Sequence, residues 1–226
     1  AGVALVVLLA VVTELGVVRP VQRRSGSGDL PALVSVAAVL FAVQQAAGLV
    51  FGPLPLPGQQ LVSAGPWEVG GAAVFASTIV LIVVTVATFV AVTAWTRFTR
   101  MGRMLRAVGD NKEAAAVLGL PVGRVRVVAF AIGGVIAAVA GILFSTKSGV
   151  SFTSGLGWTL TGFLALVVGG TGSTWGPLAG GLLLGAVQVF TPFYFSTLGP
   201  QTVILVIALT FFAFKPEGLF VRRVRV

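Results

Sequence analysis

The chain has no cysteine, no histidine, one tyrosine and six acidic residues in 226 positions. The first two absences exclude disulfide scaffolds, thiol catalysis, imidazole metal clusters and the commonest general base. The shortage of charge excludes more. Charged residues make up 9% of the chain and hydrophobic ones 57%, with a mean hydropathy of +1.06. That leaves too little polar surface to cover a water-soluble globule. No GxxxxGK[ST] loop occurs, so the chain brings no phosphate cradle of that type.

What the sequence does contain is apolar runs. A helix crosses the hydrocarbon of a bilayer with about 20 apolar residues. Runs approaching or exceeding that length lie at Ala1–Val18, Leu30–Phe51, Gly71–Trp95 and Val125–Phe144, with a shorter fifth at Gln201–Phe214. This predicts an all-α integral membrane protein, a polytopic bundle of transmembrane helices forming a single domain over residues 1–226. The first run is not patterned as a signal peptide, because its positive charges follow the apolar stretch rather than precede it. The sequence opens in mid-helix without methionine, which leads us to expect further residues, and one or more helices, ahead of Ala1.

A net charge of +9 raises nucleic acid as a candidate partner. The basic residues instead sit in short connections between apolar runs and lack interleaved aromatics, so no nucleic acid is expected. All but Lys147 fall into three clusters: Arg19, Arg23 and Arg24; Arg97 through Arg126; and Lys215 through Arg225. Cytoplasmic loops collect Lys and Arg. The clusters therefore predict a cytoplasmic face, with the Pro- and Gly-rich connection Phe51–Gly70 and the segment Ser145–Gly157 outside. Glu14, the one acid in the first run, reads as a helix-end residue paired with Arg19 or with headgroups rather than as a substrate contact.

Between the outer segment and the last run lies a mostly apolar stretch, 158–190, broken by Gly169-Gly170-Thr171-Gly172-Ser173-Thr174-Trp175-Gly176-Pro177. Each arm has only about 13 residues, short for a full span. The pattern predicts an interrupted, re-entrant-like helix pair. Irregular backbone at membrane depth is tolerated where it faces a watery cavity or protein, and it often marks a transport path. Gly170, Thr171, Gly172, Ser173 and Thr174 are thus candidate pathway residues. Gly176/Gly180 and Gly181/Gly185 also have the spacing that lets helices pack closely, and packing is the preferred reading for Gly180, Gly181 and Gly185.

The most informative segment is 97–126. Asp110 or Asn111 can N-cap a short helix, Glu113 suits its positive end, and Gly119 with Pro121 stops it. The helix has roughly two turns and a face of Ala114, Ala115 and Ala116 that could enter a groove on another protein. By composition alone a solvated connector is the preferred reading.

A family resemblance adds to this. Glu113-Ala114-Ala115 followed by Gly119 resembles the EAA-loop signature of ATP-binding-cassette (ABC) importer permeases. The flanking run Arg103–Arg126 is similar to that of branched-chain amino-acid permeases of the LivH/LivM type. Glu14 with Arg19-Pro20, Gln44-Gln45 with Leu49-Val50-Phe51-Gly52, Gly169–Ser173 with Gly176-Pro177, and Phe214–Phe220 extend the similarity. It runs from about Glu14 to Phe220. The family's opening segment lies outside this sequence, and Gln44-Gln45 stands where Gln-Asn is more usual.

The resemblance implies a permease subunit of an importer for branched-chain or related amino acids in the bacterial inner membrane. It implies as partners two ABC ATPase subunits, a second permease subunit, identical or LivM-like, an extracytoplasmic solute-binding protein and membrane lipid. No cofactor is expected in this chain; ATP and Mg²⁺ would belong to the ATPase, and the chain itself would not be an enzyme. It further implies that Arg103, Arg106, Asn111, Glu113, Ala114, Ala115 and Gly119 couple to the ATPase, and that Gln44 and Gln45 join the substrate path. Sugars, urea and short amides are alternative cargoes, and a passive channel or facilitator is the alternative mechanism.

Overall fold

The computed structural model describes residues 2–25, 29–58, 67–69, 72–147, 149–170 and 175–194, together with 202, 203, 206, 207, 209 and 210. The chain forms two compact units, Ala1–Phe152 and Thr153–Val226. Both are helical. In the first, α1 (Gly2–Thr13) runs through a π-helical turn (Glu14–Val18) into α2 (Arg19–Ser25), followed by α3 (Asp29–Phe51), α4 (Ala76–Phe98), α5 (Arg100–Asp110), α6 (Lys112–Val117) and α7 (Val122–Lys147). The second holds α8 (Ser154–Gly169) and α9 (Trp175–Tyr194). The described strands are β1 (Trp67–Val69) and β2 (Ala72–Val74), a three-residue antiparallel ribbon in the long connection before α4.

Five helical segments are long and apolar enough to cross a membrane: Gly2–Arg24, Leu30–Phe51, Ala76–Phe98, Val122–Thr146 and Trp175–Tyr194. The first four coincide with the apolar runs. The fifth is α9, one arm of the expected interrupted pair, and most of the run 201–214 lies outside the described residues. At most 22% of any span's window is buried within the chain, and Leu8, Val12, Ile82, Val83 and Val90 are among the apolar side chains that stay exposed. A helix that exposes apolar residues in this way needs lipid or another subunit around it.

α1 packs antiparallel on α7. A methyl group placed on Gly134 would lie 3.0 Å from the Ala10 Cβ and 3.1 Å from the Val7 Cα, so this glycine lets the two backbones approach. The antiparallel pairing gathers Arg19, Arg23, Arg124 and Arg126 at one end. α4 delivers Arg97 and α5 to that same end, and Lys112 of α6 lines a cavity with Arg19 and Arg23. At the opposite end, Leu56 and Val150 exchange two backbone hydrogen bonds of 3.0 Å, and Phe152 packs against Gly48 at the end of α3. The segments expected outside thus meet each other, away from the basic loops.

In the second unit α8 and α9 cross in backbone contact. A methyl on Gly169 would overlap the Gly176 carbonyl, and one on Gly180 would overlap the Ala165 carbonyl. Packing therefore explains Gly180. Gly181 and Gly185 meet nothing within 4 Å, so the packing role expected for them is not exercised within this chain. Ala165 and Leu184 form the small core of this unit, with Leu164, Val187 and Ile207 against it.

Candidate functional site

The basic end of the first unit is built from a corner and two caps. α4 stops at Thr99, whose hydroxyl donates to the Trp95 carbonyl at 2.8 Å and accepts from the Gly102 N–H at 3.0 Å. The second bond satisfies one of the orphan donors at the start of α5. Gly102 is buried at the inside of this corner, where a methyl would lie 2.5 Å from the Thr96 Cα and no side chain can fit. α5 leaves at an angle and presents Arg100, Arg103 and Arg106 outward, while Met101, Met104 and Leu105 are half-buried. Arg103 also donates to the Phe98 carbonyl at 3.2 Å.

Asn111, in extended conformation, separates α5 from α6 and caps the latter: its Oδ1 accepts from the Ala114 N–H at 2.9 Å. Of the two capping candidates, Asn111 is the one the fold uses. Gly119 at φ +76 then reverses the chain after a single α6 segment of six residues, a conformation favourable only to glycine. The three-alanine face does not stay together. Ala114 and Ala116 are exposed, but Ala115 is only 3% exposed and is spent inside this chain, where α6 packs on α5 and α7. Glu113 and Asn111 are exposed too, and the largest outward side chains of the segment are Val117 at 88% and Leu118 at 79%. Neither Val117 nor Leu118 was singled out from the sequence, because in a short segment without a full helical repeat the apolar spacing does not tell an inward residue from an outward one.

Beside this segment lies a contact that sequence reasoning missed. Glu14 is fully buried in the π-helical turn, and its Oε1 accepts from the Arg126 Nε of α7. The Arg126 Nη1 donates to the Gln22 Oε1 of α2. The partner of Glu14 is therefore Arg126, not Arg19 or the headgroups. The π turn widens the helix by a residue and turns Glu14 and Val18 inward. Only the antiparallel α1–α7 packing brings positions 14 and 126 together, and the one sequence signal was a lone acid in an apolar run. Among the described residues this is the one ion pair.

The expected pathway residues divide between the units. On α3, Gln45 is exposed and Gln44 half-buried; the Gln44 Oε1 is a buried atom without a hydrogen-bond partner among the described residues, as is the Thr93 Oγ1 on α4. A cavity of about 250 Å³ between α4 and α7 is lined by Thr85, Thr88, Phe89, Val92, Ile136 and Leu143, among others, and is almost wholly apolar. In the second unit Gly170 ends α8 at φ +90, buried, with its N–H donating to the Leu166 carbonyl at 2.8 Å. Thr171, Gly172, Ser173 and Thr174 lie outside the described residues. Among the described residues no group of three or more acidic side chains, the one metal-ligating type available here, could hold a metal ion.

A polytopic set of apolar spans, with buried oxygens on Gln44 and Thr93 unpartnered among the described residues, defines an integral membrane protein. The chain belongs to the family described as branched-chain amino acid transport system / permease component, whose pattern matches residues 1–214. It is 32% identical over 214 residues to the high-affinity branched-chain amino acid transport system permease protein LivH of Escherichia coli strain K12, covering 90% of this chain and 67% of the relative. With BraD of Pseudomonas aeruginosa, a permease protein of the same kind of system, it shares 30% over 172 residues, 75% of this chain and 55% of the relative. A 90-residue stretch is 37% identical to the L-arabinose transport system permease protein AraH of Escherichia coli strain K12, covering 36% of this chain and 27% of AraH. No solved structure gives a significant match. The chain is a multi-pass permease of the inner membrane.

Proposed function

We propose that this chain is the membrane-spanning subunit of an ATP-binding-cassette importer for branched-chain amino acids. In this reading the basic end faces the cytoplasm, and α6 docks into a groove of an ATPase subunit that supplies ATP and Mg²⁺. A second permease subunit covers part of the exposed apolar helix surface, and an extracytoplasmic solute-binding protein delivers cargo to the opposite end. Gln44 and the segment 170–174 offer polar groups to the amino acid as it passes.

The observation that carries the coupling is the outward pair Val117 and Leu118. Two large aliphatic side chains, 88% and 79% exposed on a rigidly capped helix among charged residues, are costly in water and suited to a protein groove. Arg103 and Arg106, exposed on the neighbouring helix α5, add positive charge to this end of the unit. The spans add support for an external energy source: their one acidic residue, Glu14, is already paired with Arg126, and the remaining charges sit at the basic ends, which leaves no chain of ionisable groups for a proton or sodium relay.

Leu118→Glu tests this. The side chain touches little of its own chain, so insertion and thermal stability should stay near those of the parent. Retention of the ATPase on the purified permease should weaken about 30-fold, the size of an interface hot spot, and leucine uptake should fall with it. A variant that keeps both its ATPase and its uptake would remove α6 from the coupling role. The stretch shared with the arabinose permease supports a second cargo class. Competition of labelled leucine uptake by valine and isoleucine, but not by arabinose, is the expected outcome for the amino-acid reading.

A further inference from the structure

Arg19, Gln22 and Arg23 of α2, Lys112 of α6 and Arg126 of α7 line one open surface cavity of about 280 Å³, just below the usual size of enclosed ligand sites and open enough to admit a headgroup from the side. Four of the five are cations. Glu14 neutralises one of them, Arg126, and with Gln22 holds its guanidinium in a fixed orientation. Arg19, Arg23 and Lys112 have no ion pair among the described residues; Asp110 and Glu113, two and one positions from Lys112 in sequence, are exposed and make none. The Arg19 Nη2 also lies against the first turn of α7, 3.6 Å from where a methyl on Gly123 would sit, so the positive end of that helix adds to the field. Three uncompensated cations around one cavity repel each other, and an anion with several acceptor oxygens relieves that repulsion.

We propose that this cavity holds the phosphate headgroup of an anionic phospholipid. The apolar surface leading to it favours a lipid over a free anion. Leu8, Val12 and Leu15 of the first span are 62%, 53% and 43% exposed and lead along the helix to Arg19. Leu15 and Pro20 join Arg19, Arg23 and Arg24 around an adjoining cavity of about 460 Å³. Acyl chains can lie on that stripe while the headgroup enters the basic cavity. Because the cavity joins the first residue of α6 to α2 and α7, the lipid ties the projecting helix to the bundle.

The experiment is native mass spectrometry of the full permease assembly, titrated with phosphatidylglycerol, with phosphatidylcholine of the same chains, or with inorganic phosphate. The parent should retain phosphatidylglycerol selectively and should not retain inorganic phosphate. The double variant R19Q/R23Q should bind phosphatidylglycerol roughly 30-fold more weakly, about fivefold per cation removed. R19K/R23K, which keeps the charge and guards against a folding defect, should bind within a few-fold of the parent. Unchanged phosphatidylglycerol binding in R19Q/R23Q, or equal retention of phosphatidylcholine, overturns the site. Tight binding of inorganic phosphate with the same dependence on Arg19 and Arg23 overturns the lipid assignment.

Discussion

At the scale of single residues, Glu14 and Arg126 carry the greatest local cost. The carboxylate is fully buried and the guanidinium 22% exposed, so each charge is tolerable because the other is there. Glu14→Gln should therefore destabilise the folded permease by about 2 kcal/mol, below the roughly 3–5 kcal/mol of a fully buried pair, because it leaves the half-buried Arg126 without its counter-ion. The double variant E14L/R126M should recover most of that loss, since an apolar pair of similar size removes both desolvation penalties. Thermal unfolding in detergent reads this. Equal stability of E14Q and the parent would show that the pair contributes nothing. Neither residue's partner could be inferred from its own neighbourhood, because the two lie 112 positions apart.

At the scale of elements, α6 shows how much a short helix can reveal locally. Asn111 as cap and Gly119 as stop were legible because both act within four residues of backbone, through a side-chain oxygen and a positive φ. The inward alanine was not legible, because burial of Ala115 depends on where α5 and α7 pass. Ala115→Arg should accordingly lower the yield of folded permease by forcing a long charged side chain into a packed contact, at a cost of several kcal/mol. Ala116→Arg, on the exposed side of the same helix, should leave folding intact. Monodispersity on size exclusion separates the two. The paired helices α8 and α9 make the same point. The sequence placed their break near Gly170, but the structure extends them to 16 and 20 residues, longer than the apolar arms. Their contact runs through Gly169, Gly176 and Gly180, where a side chain on either helix would meet backbone.

At the scale of the whole molecule, the two ends of the first unit differ in charge, and that difference predicts orientation. The chain has no cysteine, so single cysteines can report on sidedness without background. Cysteine at Leu54, 79% exposed in the outer connection, should react with an impermeant maleimide in intact cells, and cysteine at the exposed Asn111 should react only after the membrane is opened. Labelling of position 111 in intact cells would invert the molecule and take α6 out of reach of any cytoplasmic ATPase.

The sequence by itself determined the solvent, the positions of the first four spans, the grouping of basic loops and the local capping of the segment 97–126. Those properties follow from apolar run length, charge placement and caps, and each acts over a few turns of one helix. Tertiary structure decided which residue faces Glu14, which alanine of α6 turns inward, which glycines hold helices together, and that Lys112 meets Arg19 and Arg23 around one cavity. Each of these depends on two helices distant in sequence meeting at a particular height and rotation. A pattern along one chain segment does not specify that height or rotation, because lipid accepts apolar side chains on every face of a span.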